Sequence, residues 1–145
     1  MKRINEYKKL FNVESDTDLK TLKNTYRNLV KEWHPDKFSG NDELAIEAEH
    51  KSRQIIEAYH FLVSIAPETI TANEEEHFIS TDSGIADFKL KGQMLEVSFM
   101  DGSTYEYFGV SKNIFTRFIN ADKQLRFAKR NIFSSYLYRR AKKAA

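Results

Sequence analysis

Apolar positions in the first half of the chain recur at helical spacing. Leu19, Leu22, Tyr26, Leu29, Val30 and Trp33 share one face at intervals of three and four, which predicts an amphipathic helix. Ser15, Asp16, Thr17 and Asp18 precede it and can cap its first turn, with Thr17 or Asp18 best placed. A shorter apolar-faced helix is expected over Tyr7–Val13, and a long one over Glu43–Ser64, capped by Asn41 or Asp42. The long helix turns Leu44, Ala48, Ile55, Tyr59 and Leu62 inward, flanked by Ala45, Ile56, Ala58 and Val63. Two long helices with matching apolar faces and a loop of about ten residues between them pack as an antiparallel hairpin.

From residue 83 the period changes from helical to alternating. Ile85–Leu90 reads as a strand, and Lys91-Gly92-Gln93 turns it. Leu95, Val97 and Phe99 alternate with Glu96 and Ser98 as in a half-buried strand. Asp101-Gly102 signals a tight turn before a third, aromatic strand over Thr104–Val110. Ser111 then caps a helix whose Ile114, Phe115, Phe118 and Ile119 cover the sheet. In the tail, Leu125–Arg140, aromatic and basic residues interleave. Between the halves, residues 67–82 are polar and acidic and lack an apolar period. The expected organisation is therefore two small domains joined by an acidic linker over 67–82. The first, over 1–66, is an all-α hairpin with a short first helix. The second, over 83–145, is an α+β domain with a three-stranded antiparallel meander, a covering helix and a basic tail.

Charge supports two domains with different partners. Residues 1–82 hold 11 Lys and Arg against 16 Asp and Glu, a net of −5, whereas residues 83–145 hold 12 against 5, a net of +7. Apolar residues make up 41% of the chain and include 11 Phe and 7 Tyr, enough for real cores. Cysteine is absent, which removes disulfides, thiolate zinc sites and a cysteine nucleophile. The N-terminus lacks the apolar core of a signal peptide, and no run approaches the roughly 18 apolar residues of a membrane span. A cytoplasmic protein without a membrane partner is expected.

The candidate chemistry sits at Trp33-His34-Pro35-Asp36-Lys37, between the two long helices. Pro35 stops the preceding helix and stiffens the backbone, so that His34 and Asp36 present a donor and an acceptor at defined positions. Lys20, Lys23, Arg27 and Lys31 repeat at three and four and form a basic row leading towards His34. Such a row is either an ordinary solvated face or a field that steers an acidic partner. A structural reading of His34 is a loop histidine bonded locally to Asp36. A catalytic His-Asp pair would need a nucleophile or oxyanion site, and none is identifiable nearby. His50, His60 and His77 lack metal-ligand spacing, and there is no Gly-rich phosphate loop. The chain is expected to be neither an enzyme nor a cofactor binder.

Four segments together carry a family resemblance. Leu10-Phe11-Asn12-Val13, Tyr26-Arg27-Asn28-Leu29, His34-Pro35-Asp36-Lys37 and Ile55-Ile56-Glu57-Ala58-Tyr59 stand in the order and spacing of a J-domain, the helical module of DnaJ-type co-chaperones. The resemblance covers residues 4–64. It implies that His34, Pro35 and Asp36, with Lys20, Lys23, Arg27 and Lys31, dock on a DnaK-type chaperone and stimulate its ATP hydrolysis. The chain departs from the pattern at Ser52, where the family more often has a bulky apolar residue, and in how close Tyr7 lies to the N-terminus.

Tyr105-Glu106-Tyr107, then Phe108-Gly109-Val110, a short helix, and Arg126-Phe127 with Asn131 resemble the KTSC domain over residues 83–138. RNA binding has been suggested for that family. Tyr105 and Tyr107 share one sheet face, where they either stack on unpaired bases or lie in the core under the helix. Arg126, Lys129 and Arg130 could neutralise phosphates, or serve as a protein-docking surface. The final Lys142-Lys143-Ala144-Ala145 resembles a retrieval signal, which has meaning only on a membrane protein. Two functions are thus expected. One is a co-chaperone whose C-terminal domain targets it to an unknown partner. The alternative is an RNA-binding or ribosome-associated adaptor in which the C-terminal domain dominates.

Overall fold

The helical pattern of the first half becomes three packed helices in the computed structural model, which describes residues 2–14 and 16–141. Ser15 and the Lys142–Ala145 end, named above as a capping candidate and a retrieval-like signal, lie outside the described residues. Helix α1 (Lys2–Phe11) buries Ile4 and Phe11. It ends in a Schellman turn: Val13 N–H donates to Lys8 O, Asn12 N–H donates to Lys9 O, and Asn12 takes the left-handed conformation at φ 53°. Helix α2 (Leu19–Trp33) is capped by Asp18, whose carboxylate accepts from Thr21 N–H at 2.8 Å. Hydrogen bonds from Thr21, aided by the Lys20 charge, hold the Asp18 carboxyl below its ordinary range. The Leu19 N–H, another orphan donor of this helix start, reaches Glu68 Oε1 at 3.0 Å.

Helix α3 (Asp42–Ile65) starts at Asn41, which accepts from Leu44 N–H, and runs antiparallel to α2 as the sequence predicts. Its buried stripe is Ala48, Ile55, Ala58, Phe61, Leu62 and Ile65. The expected inward face therefore needs correction at two positions. Leu44 and Ile56 are exposed, because a stripe centred on Ala48, Ile55, Ala58 and Leu62 leaves them off the seam. Tyr26 stacks on Tyr59 at 4.2 Å between ring centroids, and Tyr59 in turn faces Phe11. Each large side chain fully buried here contributes roughly 1.5–3 kcal/mol.

The chain divides into two units, Lys2–Thr69 and Ile70–Ala145. Residues 67–82 differ from the expected linker, because they form helices α4 (Pro67–Ala72) and α5 (Glu74–Asp82). Helix α5 is built into the second unit through polar contacts that an apolar pattern cannot register. His77, Ser80 and Thr81 are its buried residues. Ser80 Oγ donates to Asp101 Oδ2 at 2.7 Å.

The second unit is an antiparallel sheet in the order β1 (Ile85–Lys91), β2 (Met94–Phe99), β3 (Thr104–Phe108), β4 (Leu137–Arg140). The three-stranded meander is present, and the tail extends it by a fourth strand that pairs Tyr138 with Tyr107 and Arg140 with Tyr105. Gly102, at φ 89°, completes the turn between β2 and β3. One sheet face turns Leu95, Val97, Phe99, Tyr105 and Tyr107 inward. Its cover comes from α6 (Lys112–Ile119), capped by Ser111, from α7 (Gln124–Asn131), and from His77 of α5, whose ring packs on Tyr105 and Tyr107. Phe118, Ala128, Ile132 and Phe133 close the core.

Candidate functional site

At the end of α2, His34 adopts the extended conformation that a following proline imposes (φ −64°, ψ 129°). Pro35 then opens one turn of 3-10 helix, Pro35–Phe38. His34 Nδ1 accepts from the Asp36 N–H at 3.2 Å, and Lys37 N–H donates to His34 O at 3.0 Å. With Nδ1 accepting, the neutral imidazole carries its proton on Nε2, which has no partner among the described residues. The side chains of His34 and Asp36 are 51% and 92% exposed, with Nδ1 and Oδ2 at 3.5 Å. One ring nitrogen of His34 therefore braces the turn, and the other faces outward without a described partner.

The turn is anchored from below through Trp33. Ser52 Oγ donates to the Trp33 carbonyl at 2.9 Å, and Lys51 Nζ lies 5.7 Å from the centre of the indole. The Phe38 ring sits 6.3 Å from the indole. Ser52, which stands where the family more often has a bulky apolar residue, satisfies one of the orphan carbonyls at the end of α2. Along α2, Lys20, Lys23, Arg27 and Lys31 are all exposed, and none forms an ion pair among the described residues. Lys31 also lies in the last turn, where the helix dipole favours a cation. The described residues contain no group of three or more His, Asp or Glu suited to a metal ion.

The second candidate cluster is not brought together as a surface. Tyr105 and Tyr107 are only 2% and 0% exposed, so neither can stack on a base, and the core reading is the correct one. Lys129 is engaged by Asp82 at 2.8 Å. Arg126 and Arg130 remain exposed on α7. The RNA-adaptor expectation thereby loses its aromatic platform. What the core holds instead is His77, whose Nε2 lies 2.7 Å from Tyr107 Oη and whose ring stacks on Tyr138 at 3.8 Å. The Tyr107 hydroxyl has no other acceptor among the described residues. With the hydroxyl donating to Nε2, the ring proton is assigned to Nδ1. Burial pushes the His77 imidazole down to about 4, so it is neutral at physiological pH.

Two family models match, and they divide the chain at the place where its period changes. Residues 6–68 match the DnaJ domain, and residues 81–136 match the KTSC domain. The chain joins a J-domain to a KTSC domain. The J-domain is 39% identical over 57 residues to the Chaperone protein DnaJ of Thermotoga petrophila, a match covering 39% of this chain and 15% of that protein. It is 41% identical over 56 residues to DnaJ homolog subfamily B member 8 of Mus musculus, covering 39% of this chain and 23% of that protein. With the DnaJ protein P58IPK homolog of Arabidopsis thaliana the identity is 36% over 62 residues, covering 43% of this chain and 12% of that protein. The chain thus spans well under half the length of these relatives, and the match lies in the J-domain. No solved structure matches the chain. No described helix is long and apolar enough to cross a membrane.

Sequence reasoning missed His77. The signal was the spacing His77, Ser80, Thr81, a polar stripe at three and four behind three glutamates, and hydropathy gives such a stripe no weight.

Proposed function

We propose that this protein is a co-chaperone that docks on a DnaK-type chaperone and stimulates its ATP hydrolysis. His34, Pro35 and Asp36 make the central contact, and Lys20, Lys23, Arg27 and Lys31 guide the approach. The observation that carries this reading is the continuity of an exposed basic row, free of described ion pairs, with an exposed His-Pro-Asp turn braced from within by Ser52 and Trp33. A single-sign field along one helix steers an acidic partner surface and speeds encounter. The turn then offers a fixed donor at His34 Nε2 and a fixed acceptor at Asp36.

The chain itself turns over no substrate, and the ATP belongs to the partner. The KTSC domain directs the J-domain to a particular partner in the cytoplasm. The test is ATP turnover by a DnaK-type chaperone with wild type and His34→Gln. The expected result is loss of stimulation with an unchanged circular dichroism spectrum and melting temperature. Equal stimulation by the variant would overturn the proposal.

A further inference from the structure

Within the second unit lies an open pocket of about 550 Å³, in the size range of small-ligand sites. Four aromatic rings line it, Phe78 on α5, Phe133 after α7, and Tyr136 and Tyr138 leading into and along β4, among smaller apolar and hydroxyl side chains. The wall at Tyr138 is fixed by its stacking on His77. His77 is itself buried, with Nε2 held by Tyr107 and Nδ1–H left without a described partner. Phe78, by contrast, is 68% exposed, a large ring left uncovered.

Two charged side chains line this space. Lys129 is neutralised by Asp82, whereas Glu74 has no ion pair among the described residues. Its charge is felt at the neighbouring Tyr138, whose phenol is pushed up by burial first and then by Tyr105 and Glu74. Glu74, Asp82 and Lys129 together leave one net negative charge. Aromatic faces carry negative quadrupole density, so rings plus an unpaired carboxylate select a cation on an apolar stem. A planar guanidinium suits both at once, stacking on rings and pairing bidentately with a carboxylate.

We infer that this cavity binds an arginine residue of a peptide. Glu74 meets the guanidinium, the aromatic walls hold the stem, and His77 Nδ1–H donates to a peptide carbonyl. The inference supplies the chemistry of the partner that the KTSC domain is proposed to choose, and it rests on that reading only for its use in the cell. The binding is measured without any chaperone. Its failure leaves the ATPase stimulation standing, and a failure of stimulation leaves this binding standing.

The experiment titrates the isotope-labelled full chain with acetyl-Gly-Arg-Gly-amide and follows backbone amide shifts. Expected are saturable shifts at Glu74, His77, Phe78 and Tyr138. Glu74→Gln, a surface change that leaves the spectrum folded, should weaken binding about tenfold. The same peptide with neutral citrulline in place of arginine should not bind. Four outcomes would each overturn the inference: no shifts at millimolar peptide, equal binding of the citrulline peptide, undiminished binding by Glu74→Gln, or equal binding of free n-propylguanidinium, which lacks the peptide carbonyl.

Discussion

His77 Nε2 and Tyr107 Oη lie 2.7 Å apart in the core of the second unit, although 30 residues separate them in sequence. The bond ties α5 to β3 and joins two polar atoms that would otherwise be buried alone. Removing one partner leaves the other without water or a bond, at a cost of about 1–3 kcal/mol. Tyr107→Phe and His77→Phe should each lower the urea midpoint. The double variant should cost less than the sum of the two, with a coupling of about 1 kcal/mol. Strict additivity in the unfolding curves would show that the bond contributes nothing.

The same histidine makes stability depend on pH. Burial depresses the folded imidazole to about 4 from an ordinary 6.5. Between those values the unfolded chain binds a proton that the folded chain refuses. Stability is therefore complete above pH 6.5 and declines as the pH falls towards 4, by roughly 1–2 kcal/mol after solvent screening. Melting temperatures taken from about pH 6.5 to pH 5, above the carboxylate range, should fall for wild type and stay flatter for His77→Phe. Equal slopes would remove His77 as the cause.

Asp101 joins α5 to the turn between β2 and β3. Its carboxylate accepts from Ser103 Oγ at 2.6 Å, Ser103 N–H at 2.9 Å and Ser80 Oγ at 2.7 Å. The Ser103 bonds first, and then that of Ser80, hold its carboxyl below the ordinary range. Asp101→Ala should release α5, costing about 1–2 kcal/mol. Amide exchange should then accelerate in Glu74–Asp82 more than in Lys112–Ile119.

These three contacts mark the limit of what was legible in the sequence. The J-domain could be read because its information is local: the Leu19-to-Trp33 stripe, the Asn41 cap and the Pro35 stop each act within a few residues. Alternation likewise put Tyr105 and Tyr107 on one face. It could not say whether that face was covered, and the cover turned out to be α6, α7 and His77. Helix α5 was hidden because its buried face is His77, Ser80 and Thr81, made compatible with burial by partners 21 and 30 residues away. Strand β4 has a single inward aromatic, Tyr138, and owes its register to β3. The role of Ser52 was equally invisible, since its partner is a backbone carbonyl 19 residues earlier.

Ser52 offers a direct check on how the His-Pro-Asp turn is held. Ser52→Ala would leave the Trp33 carbonyl unpaired just before His34, at about 1 kcal/mol. The expected outcome is a modest drop in J-domain stability, with broadened amide signals at His34 and Asp36, both recovered by Ser52→Thr. An alanine variant with unchanged signals at His34 and Asp36 would show that the turn is held without this bond.

The basic row makes the sharpest electrostatic prediction. Lys23 and Arg27 lie on one exposed face of α2, and neither is compensated among the described residues. Reversing both, Lys23→Glu with Arg27→Glu, changes the local field by four charges while leaving the apolar face of α2 intact. If the row steers a DnaK-type partner, half-maximal stimulation should require at least about tenfold more protein. Wild-type stimulation should weaken as salt shortens the screening length, and the reversed variant should lose that dependence. The charge-matched control is Arg126→Glu with Arg130→Glu on α7, which also changes four charges at exposed positions. If steering depends on net charge alone, the control falls as far as the α2 variant. If it depends on the row that leads into His34, the control keeps wild-type stimulation and only the α2 variant fails.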